Sequence, residues 1–186
     1  MNNQAKKEWI IFNKIWKLRE KQNFQKKEGR KFIGGLTIEL LREEFLKLGL
    51  NVSNRDVFIE GLHNELDLII AKANKNPIEN LIYLPSDVLI VFEIKFRGSY
   101  GASQLKKTIK VFDSIKRINN KIECIYVTIS ERANYIYRLT TETLGYDCFE
   151  LFTRQTDLEN ALKRNKMRIT GDLDRLLGKI QKIACR

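Results

Sequence analysis

The chain has little of what builds covalent or zinc-held frameworks. Its three cysteines, Cys124, Cys148 and Cys185, are widely spaced and odd in number, with no CxxC pair among them. The single histidine, His63, offers no zinc-ligand spacing. A disulfide scaffold and a structural zinc site are thereby excluded, and the cysteines read as small core or tail residues. Long hydrophobic runs are missing as well. The longest purely apolar stretch, Val88 to Phe92, is far below the roughly 20 residues a spanning helix needs. The opening Met1-Asn2-Asn3-Gln4-Ala5-Lys6-Lys7 carries neither the apolar stretch nor the small-residue cleavage site of a signal peptide. These absences argue against a membrane role and predict a cytoplasmic location. No internal repeat, low-complexity tract or linker interrupts the chain, which predicts one domain over 1–186.

What is present is a core and a charge. Hydrophobic residues make up 43% of the 186 and aromatics 10%, enough to exclude disorder despite 31% charged side chains. Lysine and arginine number 34 against 23 acids, a formal charge of +11 with a pI near 9.6. That balance suits a protein that meets phosphate backbones or anionic membranes, and the missing apolar runs favour the phosphate.

Periodicity organises the sequence. Trp9, Phe12, Ile15 and Trp16 share one helical face, which predicts a basic N-terminal helix over 1–31 with a stripe buried against a core. A second helix is expected from Leu36 to Leu48, stopped at Gly49. Strands are expected over Val52–Ile59, Leu66–Ala71 and Asp87–Phe96. The two prolines, Pro77 and Pro85, mark the intervening segment as a long irregular connection. After Gly98, helix and strand alternate: helix Ser103–Ile118, strand Ile122–Ile129, helix Glu131–Thr143 and strand Tyr146–Phe152. Such alternation implies parallel pairing through crossovers. Short helices over Asp157–Arg164 and Thr170–Ile183 close the chain. The expected fold is therefore α/β, a mixed sheet flanked by helices, with its core over about 30–155 and C-terminal helices over 156–186.

The chemistry concentrates where charges interrupt apolar strands. In Asp87-Val88-Leu89-Ile90-Val91-Phe92-Glu93-Ile94-Lys95-Phe96, side-chain alternation puts Glu93 and Lys95 on one face at the end of a buried run. Ions placed there need a partner, a metal or water, because uncompensated burial costs several kcal/mol or more. The preceding strand repeats the feature with Glu65 and Asp67. If Asp67 and Glu93 meet across adjacent strands, they form an all-oxygen site suited to a hard cation such as Mg²⁺. Lys95 would then stand where it can hold a water aimed at phosphorus. The bland reading is a set of salt-bridged charges at a sheet end.

Asp67 followed by Glu93-Ile94-Lys95 resembles the D…(D/E)xK signature of the restriction-endonuclease-like nucleases, over about residues 30–130. The run Asn64-Glu65-Leu66-Asp67-Leu68-Ile69-Ile70 with Val91-Phe92-Glu93-Ile94-Lys95 is most similar to the Holliday-junction-resolvase-like branch. The resemblance implies a restriction-endonuclease-like fold and Mg²⁺-dependent, or Mn²⁺-dependent, hydrolysis of DNA. It implies metal ligation by Asp67, Glu93 and the Ile94 carbonyl, with Lys95 acting on the water. Gly35-Leu36-Thr37-Ile38-Glu39 is similar to the family's GxxxE helix and adds Glu39 as an auxiliary ligand. On a helical wheel, however, Glu39 falls with Arg42, Glu43 and Lys47 on the polar side, so a solvated helix face stands beside that reading. Arg97, Gln104, Lys106 and Lys107, in and after the basic loop that follows the motif, are expected to contact nucleic acid. His63 reads as an ordinary loop histidine, with a proton shuttle as the lesser reading. DNA is the expected partner, and double-strand cleavage from one centre would favour a two-fold homodimer. The alternative is a non-catalytic nucleic-acid-binding module on the same fold.

Overall fold

The structure is a computed structural model in which residues 27–79, 81–96, 102–130, 145–152 and 172–185 are described. The expected N-terminal aromatic stripe, the helix over 131–143 and the helix over 157–164 lie outside these residues. Helix α1 spans Lys27–Leu46. It begins nine residues before the expected Leu36 and takes in residues 27–31, expected to end the separate N-terminal helix over 1–31, because the chain stays helical through Gly34-Gly35. The lack of a side chain has a use there: a Cβ on Gly35 would lie 2.9 Å from the Arg55 guanidinium Nη2, so glycine lets α1 pass close to that arginine. The C-terminal end follows expectation. Gly49 takes φ +74°, its N–H donates to the Leu46 carbonyl at 2.9 Å, and the Leu50 N–H donates to Phe45 at 3.4 Å. These are the two bonds of a Schellman cap.

Strand β1 (Asn51–Ile59) pairs antiparallel with β2 (Leu66–Ala71), and β2 antiparallel with β4 (Val88–Phe96). From β4 the sheet continues in parallel to β5 (Glu123–Ser130) and β6 (Asp147–Phe152). Helix α2 (Ala102–Ile118) makes the crossover between β4 and β5. The parallel half is thus the one that the alternating pattern predicts. Strand β3 (Ile82–Tyr83) adds a parallel edge beside β1, giving the order β3-β1-β2-β4-β5-β6. Its two residues are too few to show a period, which is why the stretch between the prolines reads as irregular. Backbone bonds from Phe58 to Leu81 and from Glu60 to Tyr83 hold it in place.

The sheet is covered on both faces. On one face α1 and α3 (Leu173–Ala184) bring Leu41, Phe45, Leu176 and Ile180 against Leu68, Ile70, Ile90, Phe92 and Ile94. On the other, α2 brings Leu105, Phe112 and Ile115 against Ile69, Ala71, Val91 and Tyr126. Cys124 and Cys148 are buried among the latter group and Cys185 is exposed near the chain end. Burial pushes the Cys124 thiol up to about 12, so it acts as core filler and not as a nucleophile. The described architecture is the expected mixed central sheet flanked by helices.

Phe92 is fully buried and its ring lies 5.3 Å from that of Phe45. Phe92→Ala should lower the unfolding free energy by about 3–5 kcal/mol in urea denaturation. A loss under about 1 kcal/mol would show that α1 does not pack on this face.

Candidate active site

The site forms where β2 and β4 part. Their ladder runs from Ala71–Val88 to Leu68–Phe92 and stops. Continued by two residues, the register would bring Leu66 opposite Ile94 and let its carbonyl accept the Ile94 N–H. That N–H donates instead to Asp67 Oδ2, at 2.7 Å. The Asp67 carboxylate therefore substitutes for a backbone acceptor, and a side chain holds open the gap between the two strands. Within a strand, the N–H and C=O of one residue point toward the same neighbour, so the Ile94 carbonyl faces that gap too.

Alternation settles the face. Asp67 is in phase with Ile69 and Ala71, and Glu93 and Lys95 are in phase with Val91, so all three lie on the face that α2 covers. Lys95 Nζ stands 3.5 Å from Asp67 Oδ2 and forms an ion pair with Glu93 Oε1. One ammonium thus bridges carboxylates from two strands. The side chains are 26%, 21% and 23% exposed for Asp67, Glu93 and Lys95: desolvated, yet open to a solute.

Burial sets the electrostatics. It pushes the Glu93 carboxyl above the ordinary carboxylate range; Lys95 opposes that push, and Asp67 reinforces it. Burial also works against the charge on Lys95, but the attraction of Asp67 and Glu93 outweighs it and raises the ammonium above its ordinary value. Lys95 is therefore a fixed cation at neutral pH. In this arrangement its ammonium can orient a water or stabilise an oxyanion.

The other expected residues fall in different places. Glu39 accepts a hydrogen bond from Asn54 at 2.8 Å and pairs with Arg55 at 3.5 Å and Arg42 at 3.8 Å. Asn54 lies in phase with Val52 and opposite Leu68, both in the core beneath α1. Its partners thus tie Glu39 to β1 on the α1 face, not to Asp67 or Glu93. Glu65 is exposed and accepts the Asp56 N–H at 3.3 Å, so it does not share the Asp67 position. Lys106 and Lys107 are exposed on α2, and His63 is exposed. Arg97 and the side chain of Gln104 lie outside the described residues. A feature not anticipated is the bulge at Arg55 and Asp56, with φ of 57° and 49°. Two consecutive left-handed residues that are not glycine are uncommon. The only sequence signal was the polar run Asn54-Arg55-Asp56 inside a strand.

The donor chemistry fits a hard divalent cation. Two carboxylates and a backbone carbonyl are all oxygen, and a positive charge already sits between the carboxylates in the form of Lys95. Among the described residues no third His, Cys, Asp or Glu joins them as a cluster. The remaining positions would fall to water or phosphate, as is usual for Mg²⁺. Among the described residues, no helix is long and apolar enough to cross a membrane.

Comparison with known proteins gave no matching family model and no match among curated proteins. Among solved structures the chain is similar to NucC of E. coli MS115-1 in its cAAA-bound form, at 14% identity and a TM-score of 0.48, over 91% of this chain and 72% of that one. It is similar also to cAAA-bound NucC of P. aeruginosa ATCC27853, at 13% identity and a TM-score of 0.48, over 90% and 73% of the two chains.

The raised Glu93 value has a sign that can be tested. A folded-state pKa above the unfolded one favours the protonated carboxyl, so this contribution to stability is full below the unfolded value and is lost as pH rises through the folded one. Glu93→Gln mimics the protonated form. Without divalent metal it should raise stability at pH 7 by about 1 kcal/mol, and calorimetry should show the gain shrinking toward pH 4. A gain that ignores pH, or a loss at pH 7, would contradict the burial of this charge.

Proposed function

We propose that this protein is a metal-dependent nuclease that hydrolyses DNA phosphodiester bonds, with Asp67, Glu93 and Lys95 as its catalytic residues. The observation that carries this reading is the meeting of two carboxylates from separate strands around one ammonium, beside the Ile94 N–H that holds Asp67. Asp67, Glu93 and the Ile94 carbonyl would hold Mg²⁺ or Mn²⁺, which when bound supplies Lewis-acid polarisation and water activation. The Ile94 N–H fixes the Asp67 carboxylate, so the ligand is oriented by backbone before any ion arrives. Lys95, a permanent cation, holds the attacking water and stabilises the negative charge that develops on the phosphoryl oxygens. The water oxygen bonds to phosphorus and gives up a proton to solvent, the bond to the 3′-oxygen breaks, and that oxygen takes a proton from solvent to leave a 3′-hydroxyl and a 5′-phosphate. On this reading the D…ExK layout is most similar to that of the resolvase-like branch of the restriction-endonuclease-like nucleases, and the protein would act in the cytoplasm. A two-fold dimer would present two such centres to the two strands of a duplex.

A second reading has its own observation. Lys95 is ion-paired with both carboxylates, as it would be in a polar network that merely ends the sheet, and such a chain would bind nucleic acid without cutting it. Incubation of supercoiled, linear and branched DNA with Mg²⁺, Mn²⁺ or EDTA separates the two. Cleavage with either metal and its loss in EDTA is expected. Asp67→Asn and Glu93→Gln should abolish metal binding by calorimetry. Lys95→Ala should keep Mn²⁺ binding while slowing cleavage by at least about 100-fold, the usual effect of removing one charge-stabilising donor. Glu39→Gln, bound to β1, should slow cleavage less than Asp67→Asn. No metal-dependent cutting of any substrate would leave the binding module.

A further inference from the structure

The outer face of α2 carries four cations in one arc. At 100° per residue, Lys106, Lys107, Lys110 and Arg117 fall within about 100° of one another. They lie opposite Leu105, Thr108, Phe112 and Ile115, which are buried against the sheet. All four are exposed, and among the described residues none has a carboxylate partner. Seven other described basic residues, Lys47, Lys75, Lys95, Lys179, Arg42, Arg55 and Arg175, are each ion-paired, whereas exposed cations such as Lys72 and Lys182 stand apart from any such row. The only acid of α2, Asp113, lies about 20° beyond Lys106 at the edge of this arc, where it accepts the Tyr146 hydroxyl at 2.6 Å. Like charges four residues apart, as in Lys106 and Lys110, disfavour a helix, so this row is not explained by helix stability.

Its position matters as much as its charge. α2 covers the face that carries Asp67, Glu93 and Lys95, and it begins seven residues after Lys95. Its far end is anchored where β4 starts, by a hydrogen bond from Asn119 Nδ2 to the Pro85 carbonyl at 2.8 Å. The helix therefore runs back along β4, away from the gap. From Lys106 to Arg117 the row measures about 17 Å, roughly five base-pair rises of duplex DNA.

We infer that the outer face of α2 is a phosphate-tracking surface for duplex DNA, seating Lys106, Lys107, Lys110 and Arg117 on the backbone to one side of the bond presented to Asp67, Glu93 and Lys95. The inference rests on the nuclease reading for its orientation but not for its binding chemistry, and the two are tested apart. Binding of a fluorescent 30-base-pair duplex is measured by anisotropy in EDTA across a KCl series, using the full chain. The variant Lys106→Gln/Lys107→Gln/Lys110→Gln/Arg117→Gln should bind at least 10-fold more weakly. Its plot of log affinity against log salt should be shallower by about 3 to 4, near 0.9 per lost phosphate contact. Replacing the three lysines with arginine should preserve the slope. Lys72→Gln/Lys182→Gln, exposed cations off the row, should change it by less than 1. A wild type that binds steeply with salt but cleaves nothing would support the surface and overturn the nuclease reading. A wild type that cleaves, with a glutamine variant of unchanged slope, would overturn the surface alone. Tighter binding of single-stranded DNA of equal length than of duplex would also overturn it.

Discussion

Everything about the site follows from the cost of keeping two carboxylates and one ammonium on a sheet face that is otherwise apolar. The neighbours of Asp67 and Glu93 in phase along their strands are Ile69, Ala71 and Val91, all buried. In such surroundings like charges raise each other's energy, and water is too scarce to screen them. The structure meets the cost with two devices, the Lys95 ammonium between the carboxylates and the Ile94 N–H on Asp67 Oδ2. The balance on Glu93 stays unfavourable, since burial still pushes its carboxyl up. A further positive charge beside Glu93 would remove that deficit.

The break in the ladder ties the fold to that site. Four pairs bind β2 to β4 before Asp67 intervenes, and beyond it β2 stays with β1 through Val57 and Leu66 while β4 stays with β5 up to Phe96. Each strand keeps one partner and loses the other. The opening thus costs few backbone bonds, and the Ile94 N–H beside it is taken by the Asp67 carboxylate. A gap between strands flanked by helices on both faces also explains how a charged cluster in a central sheet remains reachable.

Much of this was legible from sequence because it depends on period two. Leu66–Ala71 is reproduced to the residue, and Glu93 and Lys95 share a face because alternation requires it. The parallel order of β4, β5 and β6 followed from the alternation of element types. What depends on contact across the chain was not legible. The upstream extent of α1 was hidden because its Gly34-Gly35 pair carries no periodic signal, and the proximity of Arg55 that favours glycine there arises only in three dimensions. Strand β3 was hidden by its length. Glu39 fits a linear motif, yet its carboxylate is claimed by Asn54, Arg55 and Arg42, partners that no spacing within the helix could reveal.

The placement of Glu39 has a consequence for how the two faces of the sheet share work. On the α1 face, Glu39 and Asn54 brace a bulge whose two residues hold left-handed conformations that cost free energy. On the α2 face, Asp67, Glu93 and Lys95 hold charge that costs free energy by desolvation. The bulge interrupts the pairing of β1 with β2 between Asn54 and Val57, and pairing resumes at Val57–Leu66, one residue from Asp67. β1 is therefore the strand that follows Leu66 away from Ile94, and the extra residues let it do so while both its ends stay paired. Strain on one face and net negative charge on the other thus meet at Asp67: the irregularity of β1 lies opposite it, and Glu39 binds both Asn54 and Arg55 of that irregularity.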